Sequence, residues 1–143
     1  MGLLILRWVC ILLLAAIFLY SGYSKMQSTL QFAAVLAQYQ LVPTNLILPL
    51  ATYLPWAEIA LGLFLLTGWK TRLAAAAAAA LLSVFIVAMA VTYLRGIEAD
   101  CGCFGIGEKI SLGTIGRDAL MLLPAAFLLG ERRVRMRDNQ SLW

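Results

Sequence analysis

Residues 73–94 read LAAAAAAALLSVFIVAMAVTYL, a stretch that contains no charged side chain. A helix of about 20 apolar residues is long enough to cross the hydrocarbon core of a bilayer. The sequence therefore predicts a transmembrane helix over these residues. The seven-alanine run Ala74–Ala80 that opens the stretch is typical of a face on which membrane helices pack closely.

Three more apolar stretches of similar length flank this one on both sides. Together the four predict an all-α integral membrane protein, a four-transmembrane-helix bundle that forms one domain over the whole chain. The first stretch is predicted to be a retained helix and not a cleaved signal peptide, since no small-residue cleavage site precedes Tyr23. The predicted spans are residues 3–22, 46–69, 73–94 and 112–130, followed by a basic tail over 131–143.

Composition agrees with a lipid environment and narrows the chemistry. The chain of 143 residues is 63% hydrophobic and 13% charged, whereas soluble domains carry about 25% charged residues. It contains no histidine, which excludes histidine-ligated metals and histidine-activated nucleophiles. The tail carries four of the eleven basic residues and contributes half of the net charge of +4. A basic tail after an apolar helix contacts lipid headgroups, and nucleic acid is not an expected partner.

The distribution of Lys and Arg predicts the orientation in the membrane. Cytoplasmic loops and tails carry the excess of positive charge. With four spans both termini share one side, and that side holds seven of the eleven basic residues. We therefore expect a multi-pass protein of the bacterial inner membrane, with cytoplasmic termini and periplasmic connections after the first and third helices.

The connection after the first helix has a helical pattern of its own. Apolar residues at i, i+3 and i+4 spacing predict a short amphipathic helix at the periplasmic surface, ending before Pro43. We expect it to cover the bundle beside the third connection. The predicted apolar face consists of Leu30, Ala33, Ala34, Ala37 and Leu41.

The third connection carries the residues that point to chemistry, Cys101 and Cys103, separated by Gly102. Cysteines in an oxidising compartment pair readily, and glycine removes the side chain that would obstruct so short a bridge. Strained and exposed disulfides are more oxidising than relaxed ones. The pair therefore favours a disulfide that exchanges with another thiol protein, and this thiol–disulfide oxidoreductase is the leading hypothesis.

Several other interpretations stay open. The bridge is also compatible with a structural role in a non-catalytic assembly factor or chaperone. Two thiolates also form half of a soft-metal site, although no further ligands accompany them and no metal is predicted. A conduit for small molecules or metals is a third alternative. Cys10, about two turns into the first helix, is predicted to be a buried apolar thiol, with a redox relay as the minor alternative.

Charged residues inside predicted spans are costly, and are usually paired or functional. Glu58 lies near the middle of the second span, and Arg117 and Asp118 lie near the start of the fourth. We expect Glu58 to pair with Arg117, in preference to carrying protons. Asp118 is expected to face Lys25 or the cysteine loop.

Four stretches give the chain a resemblance to the MauE-like membrane proteins of methylamine utilisation, which are related to the DoxX proteins. They are Tyr20-Ser-Gly-Tyr-Ser-Lys25, Leu54-Pro-Trp-Ala-Glu58 with Gly62 and Gly68, Asp100-Cys-Gly-Cys-Phe-Gly105, and Arg117-Asp118. The resemblance implies a membrane protein that helps to form disulfides in an exported dehydrogenase subunit, together with a thioredoxin-like partner. It implies a redox role for Cys101 and Cys103, and structural roles for Lys25, Glu58 and Arg117.

The reaction needs an acceptor for the electrons of the reduced pair. A membrane-soluble quinone is the expected cofactor, held near the outer ends of the helices. Aromatic residues close to the cysteine loop and at the start of the second span are its predicted contacts. These are Phe104, Trp56 and Tyr53.

Overall fold

The computed structural model describes residues 1–101 and 108–130. Within these ranges the chain forms helices connected by short segments. The helices are α1 (Gly2–Gln27), α2 (Thr29–Tyr39), α3 (Thr44–Leu66), α4 (Thr71–Leu94) and α5 (Leu112–Leu120), and after a turn at Met121 helical structure continues over 122–130.

Four helices are long and apolar enough to cross a membrane, which confirms the predicted four-span architecture. The fourth span is formed by α5 together with its continuation, over Leu112–Gly130. Only 22–28% of the residues in the most apolar part of each span are buried inside the bundle. The remaining apolar side chains lie on the outer surface, where lipid is the solvent that suits them.

The bundle is tightest where α1 meets α3. A Cβ atom on Gly22 would lie 2.8 Å from the carbonyl oxygen of Pro55, and one on Gly62 would lie 3.2 Å from that of Ala15. Glycine lets two helix backbones approach closely in a membrane, where van der Waals contact stabilises the pair. These two glycines therefore set the spacing that lets side chains of α1 and α3 meet in the interior.

The alanine run has the packing role that its composition predicts, on one face only. Ala74, Ala75 and Ala78 are buried in an apolar cluster with α1 and the end of α3. Cys10 is buried in the same cluster, which agrees with the prediction that it is a buried apolar thiol. This cluster fills the end of the bundle that contains the start of α1.

The opposite end, which we call the cysteine end, is covered by α2. The predicted apolar face of this helix was wrong, since Leu30 is 77% exposed. The face that is buried carries larger side chains. These larger residues also recur at helical spacing, and their burial removes more apolar surface area from contact with solvent than burial of alanines would. They are Phe32, Val35, Leu36 and Tyr39.

Candidate functional site

Two short backbone segments frame the cysteine loop at this end of the bundle. Asp100 and Lys109 form an antiparallel bridge. The amide of Cys101 donates to the carbonyl oxygen of Glu108 over 2.6 Å, and the amide of Ile110 donates to that of Ala99 over 2.9 Å. The frame fixes where Cys101 enters and where Glu108 leaves the loop. Gly102, Cys103 and Phe104 lie outside the described residues.

Cys101 is held inside the protein, not displayed on its surface. Its side chain and backbone are 1% exposed, in a cluster with Tyr39 and Met89. The Tyr39 hydroxyl donates to the Cys101 carbonyl oxygen over 2.6 Å, and Cys101 Sγ lies 3.4 Å from Met89 Sδ. The sulfur therefore has a polarizable neighbour, and the backbone is anchored on both sides.

Arg117 brings a positive charge to the sulfur. Its Nη2 lies 3.9 Å from Cys101 Sγ. The guanidinium is oriented by two carboxylates: Nη1 donates to Glu108 over 2.8 and 3.1 Å, and Nε donates to Asp118 over 3.2 Å. A cation beside a cysteine sulfur favours the reactive thiolate form.

Local sequence explains why Arg117 reaches the loop. Ser111 and Thr114 form a capping box, in which the Ser111 hydroxyl accepts from the Thr114 amide and the Thr114 hydroxyl accepts from the Ser111 amide. This cap fixes the first residue of α5 directly after the loop frame. Arg117 and Asp118 follow within two turns of the helix.

The expected Glu58–Arg117 pair was wrong. Glu58 Oε1 instead accepts a hydrogen bond from Lys25 Nζ over 2.7 Å, and the Ser21 hydroxyl donates to Glu58 Oε2 over 3.3 Å. Lys25 and Glu58 are 4% and 2% exposed. The close approach of α1 and α3 joins these two residues, while Glu108 and Asp118 bind the guanidinium of Arg117.

Aromatic rings complete the surroundings of Lys25. Its Nζ lies 5.0 Å from the centroid of the Phe32 ring and 4.5 Å from that of Phe85. A cation over a ring face is attracted by the ring quadrupole, and more strongly so when water is excluded. Lys25 is thus held by an ion pair and two rings from three helices.

A small cavity adjoins the Lys25–Glu58 pair. Its volume is about 20 Å³, which is enough for a water molecule. Ser21, Lys25, Glu58 and Asp118 supply its polar walls, and apolar side chains of α1, α4 and Met121 supply the rest. Asp118 is 2% exposed. The expectation that Asp118 faces Lys25 or the loop agrees with its position on this cavity.

Two of the three predicted quinone contacts are among the described residues, and they lie away from the cluster around Cys101. Tyr53 and Trp56 are 72% and 59% exposed, on the outer face of α3. Neither belongs to the cluster around Cys101. Glu58, on the same helix, points inward.

Sequence reasoning missed several residues that shape the site. Tyr39 carries a hydroxyl at the end of the apolar stripe of α2, and such a polar tip usually has a hydrogen-bond partner when buried. Gln38 accepts from the Asp100 amide over 3.1 Å. The pairing of Glu108 with Arg117 could have been predicted, because an acidic residue at the end of the cysteine loop precedes the arginine of α5.

Comparison with known proteins identifies a family to which the sequence is similar. The sequence model of the family described as methylamine utilisation protein MauE matches residues 3–130. A methylamine utilization protein MauE of Paracoccus versutus is 38% identical over 135 residues, covering 90% of this chain and 73% of the relative. Those of Methylophilus methylotrophus and Paracoccus denitrificans are 37% and 36% identical, over 73% and 71% of this chain.

The chain spans 55% of the length of these last two relatives. No solved structure matches it significantly. The family match nevertheless includes all five helices and both the cysteine frame and the buried ion pair. This chain belongs to the MauE family of methylamine utilisation proteins.

Proposed function

We propose that this chain is a membrane thiol–disulfide oxidoreductase in which Cys101 and Cys103 exchange electrons with a thiol protein. The observation that carries the proposal is the guanidinium of Arg117, fixed by Glu108 and Asp118 at 3.9 Å from Cys101 Sγ. A disulfide with a purely structural role needs no charge at its sulfur. A thiolate leaving group, by contrast, is stabilised by a neighbouring positive charge.

The burial of Cys101 supports a proposed order of steps. Because Cys101 is buried, a partner thiolate attacks Cys103 and expels Cys101 as a thiolate beside Arg117. The partner's second thiol loses its proton and attacks the mixed disulfide, which releases Cys103. The partner becomes a disulfide, its two electrons reduce the Cys101–Cys103 disulfide, and its two protons go to the cysteine thiolates or to acid–base groups around them.

The proposed partner is a thioredoxin-like or other cysteine-containing protein on the periplasmic side of a bacterial inner membrane. The distribution of Lys and Arg supports cytoplasmic termini, and with that orientation the cysteine end would face a compartment where disulfides persist. The relatives are named for methylamine utilisation. We therefore propose that this chain supports disulfide formation in exported proteins of that process.

A bilayer quinone is the proposed acceptor that regenerates the disulfide. Bound near the cysteine end, a quinone would supply an acceptor for two electrons and two protons. Tyr53 and Trp56 remain its proposed contacts because they lie on the outer surface of α3, within reach of a lipid-soluble molecule. Phe104, the third proposed contact, lies outside the described residues.

A non-catalytic assembly factor is the second candidate. The anchoring of Cys101, with its amide on Glu108 and its carbonyl oxygen on Tyr39, favours a loop whose shape matters for docking. In that case a Cys101→Ser/Cys103→Ser double variant that folds keeps its biological function. The oxidoreductase loses it.

The deciding experiment measures the redox state of Cys101 and Cys103 by alkylation and mass analysis in isolated membranes across defined redox buffers. The oxidoreductase predicts a reversible disulfide with a potential above roughly −250 mV, because structural bridges lie below about −300 mV. A bridge that resists reduction in the folded protein contradicts exchange and favours the assembly factor. Bound metal with both thiols reduced favours a soft-metal site.

The same assay tests the role assigned to Arg117. Arg117→Gln is expected to slow mixed-disulfide formation with a small thiol by roughly tenfold, which corresponds to about 1.4 kcal/mol. Arg95→Gln removes an exposed charge near the end of α4 and is the matched control. Equal rates in the two variants contradict a role for the guanidinium at the sulfur.

A further inference from the structure

Two side chains with opposite preferences contact the sulfur of Cys101. Its thiol donates a hydrogen bond to Met89 Sδ over 3.4 Å, whereas Arg117 Nη2 lies 3.9 Å from the same sulfur. A thioether sulfur is an acceptor and not a donor, so it stabilises the thiol that carries the hydrogen. A guanidinium stabilises the thiolate. The balance between the two contacts therefore bears on whether Cys101 carries its proton.

Met89 is buried beside Cys101, where a hydrocarbon side chain would fill the same space. It is 0% exposed and belongs to the cluster that contains Cys101 and Tyr39. Apart from these three residues, the cluster consists of aliphatic side chains within the described ranges. Leucine or isoleucine could provide the apolar contact, but only a thioether also provides a soft acceptor for a thiol.

The charged and titratable groups in the segments around the sulfur come from α2, α5 and the loop frame, while α4 contributes none to the cluster within the described ranges. They are Tyr39 of α2, Arg117 and Asp118 of α5, and Glu98, Asp100, Glu108 and Lys109 of the frame. Both carboxylates bound to the guanidinium of Arg117 offset its charge. A neutral acceptor at 3.4 Å can therefore compete with this compensated cation at 3.9 Å.

We propose that Met89 keeps Cys101 in the thiol form once exchange has begun, and thereby protects the mixed disulfide from reversal. Met89 acts through Cys101 and is a positioning residue. The protective role rests on the proposed thiol–disulfide exchange, whereas the hydrogen bond from Cys101 to Met89 does not.

The step balances in sulfur and in protons. A partner thiol loses its proton and attacks Cys103, the bond from Cys103 to Cys101 breaks, and Cys101 leaves as a thiolate beside Arg117. Cys101 then binds one proton, which balances the one that the partner released, and directs it to Met89 Sδ. Because the thiolate and not the thiol attacks a disulfide, Cys101 no longer returns to Cys103. The partner's second thiol can then resolve the mixed disulfide.

A titration of Cys101 in the full chain, in lipid nanodiscs, tests the hydrogen bond. In a Cys10→Ser/Cys103→Ser background Cys101 is the one remaining cysteine, so carbon-13-labelled cysteine gives a single NMR signal that distinguishes thiol from thiolate. Met89→Leu preserves the volume and removes the acceptor. The pKa of the Cys101 thiol is expected to fall by roughly half a unit. Met26→Leu, outside the cluster, is the control and leaves the pKa unchanged.

A second comparison separates the acceptor from packing. Norleucine incorporated in place of methionine retains the unbranched chain without an acceptor, whereas selenomethionine retains a soft acceptor. The norleucine protein is expected to show the lower pKa of Cys101 and the selenomethionine protein is not. In the Met89→Leu background the two should agree. Equal pKa values in the norleucine and selenomethionine proteins with Met89 present overturn the proposal, even if Met89→Leu fails to fold.

The protective role is read from the lifetime of a mixed disulfide. A Cys10→Ser protein with both loop cysteines reacts with a limiting amount of glutathione, which has no second thiol, and the mixed disulfide is followed by acid quench and mass analysis. Met89→Leu is expected to shorten its lifetime by about twofold, because more Cys101 is thiolate although that thiolate is a weaker nucleophile. If the pair cycles and the lifetime is unchanged, the role of Met89 is overturned and the oxidoreductase stands. If the pair does not cycle, the oxidoreductase and the protective role both fail, and the titration still decides the hydrogen bond.

Discussion

Replacing Lys25 by methionine tests the buried ion pair directly. Methionine keeps an unbranched apolar stem between the rings of Phe32 and Phe85 and removes only the charge. Glu58 then stays buried, and within the described residues it keeps the hydrogen bond from the Ser21 hydroxyl at 3.3 Å. The variant therefore separates loss of the ion pair from loss of packing.

The expected cost follows from distance and burial. At the 2.7 Å separation of Lys25 Nζ and Glu58 Oε1, an effective dielectric constant of about 20 gives an attraction of about 6 kcal/mol. Relaxation and water entry reduce what is lost. Breaking a buried pair by removing one partner costs about 3–5 kcal/mol of unfolding free energy. We expect Lys25→Met to fall in that range.

The double variant Lys25→Met/Glu58→Leu is expected to recover most of the loss. A buried pair replaced by apolar residues of similar volume is often neutral or stabilising. The matched control is Lys109→Met, since Lys109 and Glu98 lie 3.4 Å apart with side chains 72% and 86% exposed. Exposed pairs contribute about 0–1 kcal/mol.

Reversible unfolding in mixed micelles, followed by far-ultraviolet circular dichroism, gives the unfolding free energies of the unsubstituted protein, Lys25→Met, Glu58→Leu, the double variant and the control Lys109→Met. The loss of unfolding free energy in Lys25→Met should exceed that in Lys109→Met by several-fold. The reasoning is refuted if Lys25→Met costs no more than Lys109→Met. It is also refuted if the double variant is as unstable as the sum of its single variants.

Two further substitutions test the packing and the anchoring of the site. Gly22→Ala should lower the unfolding free energy by about 1–3 kcal/mol, because the new Cβ meets the Pro55 carbonyl oxygen at 2.8 Å; Gly2→Ala, with nothing within 4 Å, should leave it unchanged. Tyr39→Phe removes the 2.6 Å hydrogen bond to the Cys101 carbonyl oxygen and should cost about 1–3 kcal/mol. Alkylation of reduced Cys101 should then become faster, and an unchanged rate would contradict the anchoring role.

The four spans were predictable because apolar length alone determines them. Where the prediction fell short, tertiary contacts were responsible. The first span was expected to end at residue 22, but α1 continues to Gln27. Its last turns carry the polar residues Ser21 and Lys25, and polar residues lower the hydropathy by which the end of a span is predicted. In the structure these two side chains are buried against Glu58.

The orientation of α2 was not predictable from periodicity, since two apolar stripes coexist on it. The stripe of Leu30 and alanines fits a helical wheel as well as the stripe of Phe32, Val35 and Leu36. Only the position of α3 and α4 decides between them, and the larger side chains are buried. Size, and not spacing, was the informative signal.

The partner of Glu58 required the same kind of information. Lys25 and Arg117 were both plausible from depth in the membrane, since each lies toward the cysteine end of its helix. The choice depends on rotation of the helices about their axes and on how closely α1 approaches α3. Gly22 gives that approach, but a glycine in a sequence does not reveal which helix it faces.

Adjacent positions on α5 connect the two parts of the site. Successive residues of an α-helix point about 100° apart, so Arg117 extends to the cysteine loop while Asp118 turns into the bundle. The Nε–Oδ1 contact of 3.2 Å between them is thus the link between Cys101 Sγ and the cavity that holds Glu58. The Cys101 sulfur and the buried carboxylate of Asp118 thus contact a single guanidinium. Any rotation of the first turns of α5 alters both together, which is why the Arg117-Asp118 pair, more than either residue alone, is the feature on which the proposed chemistry depends.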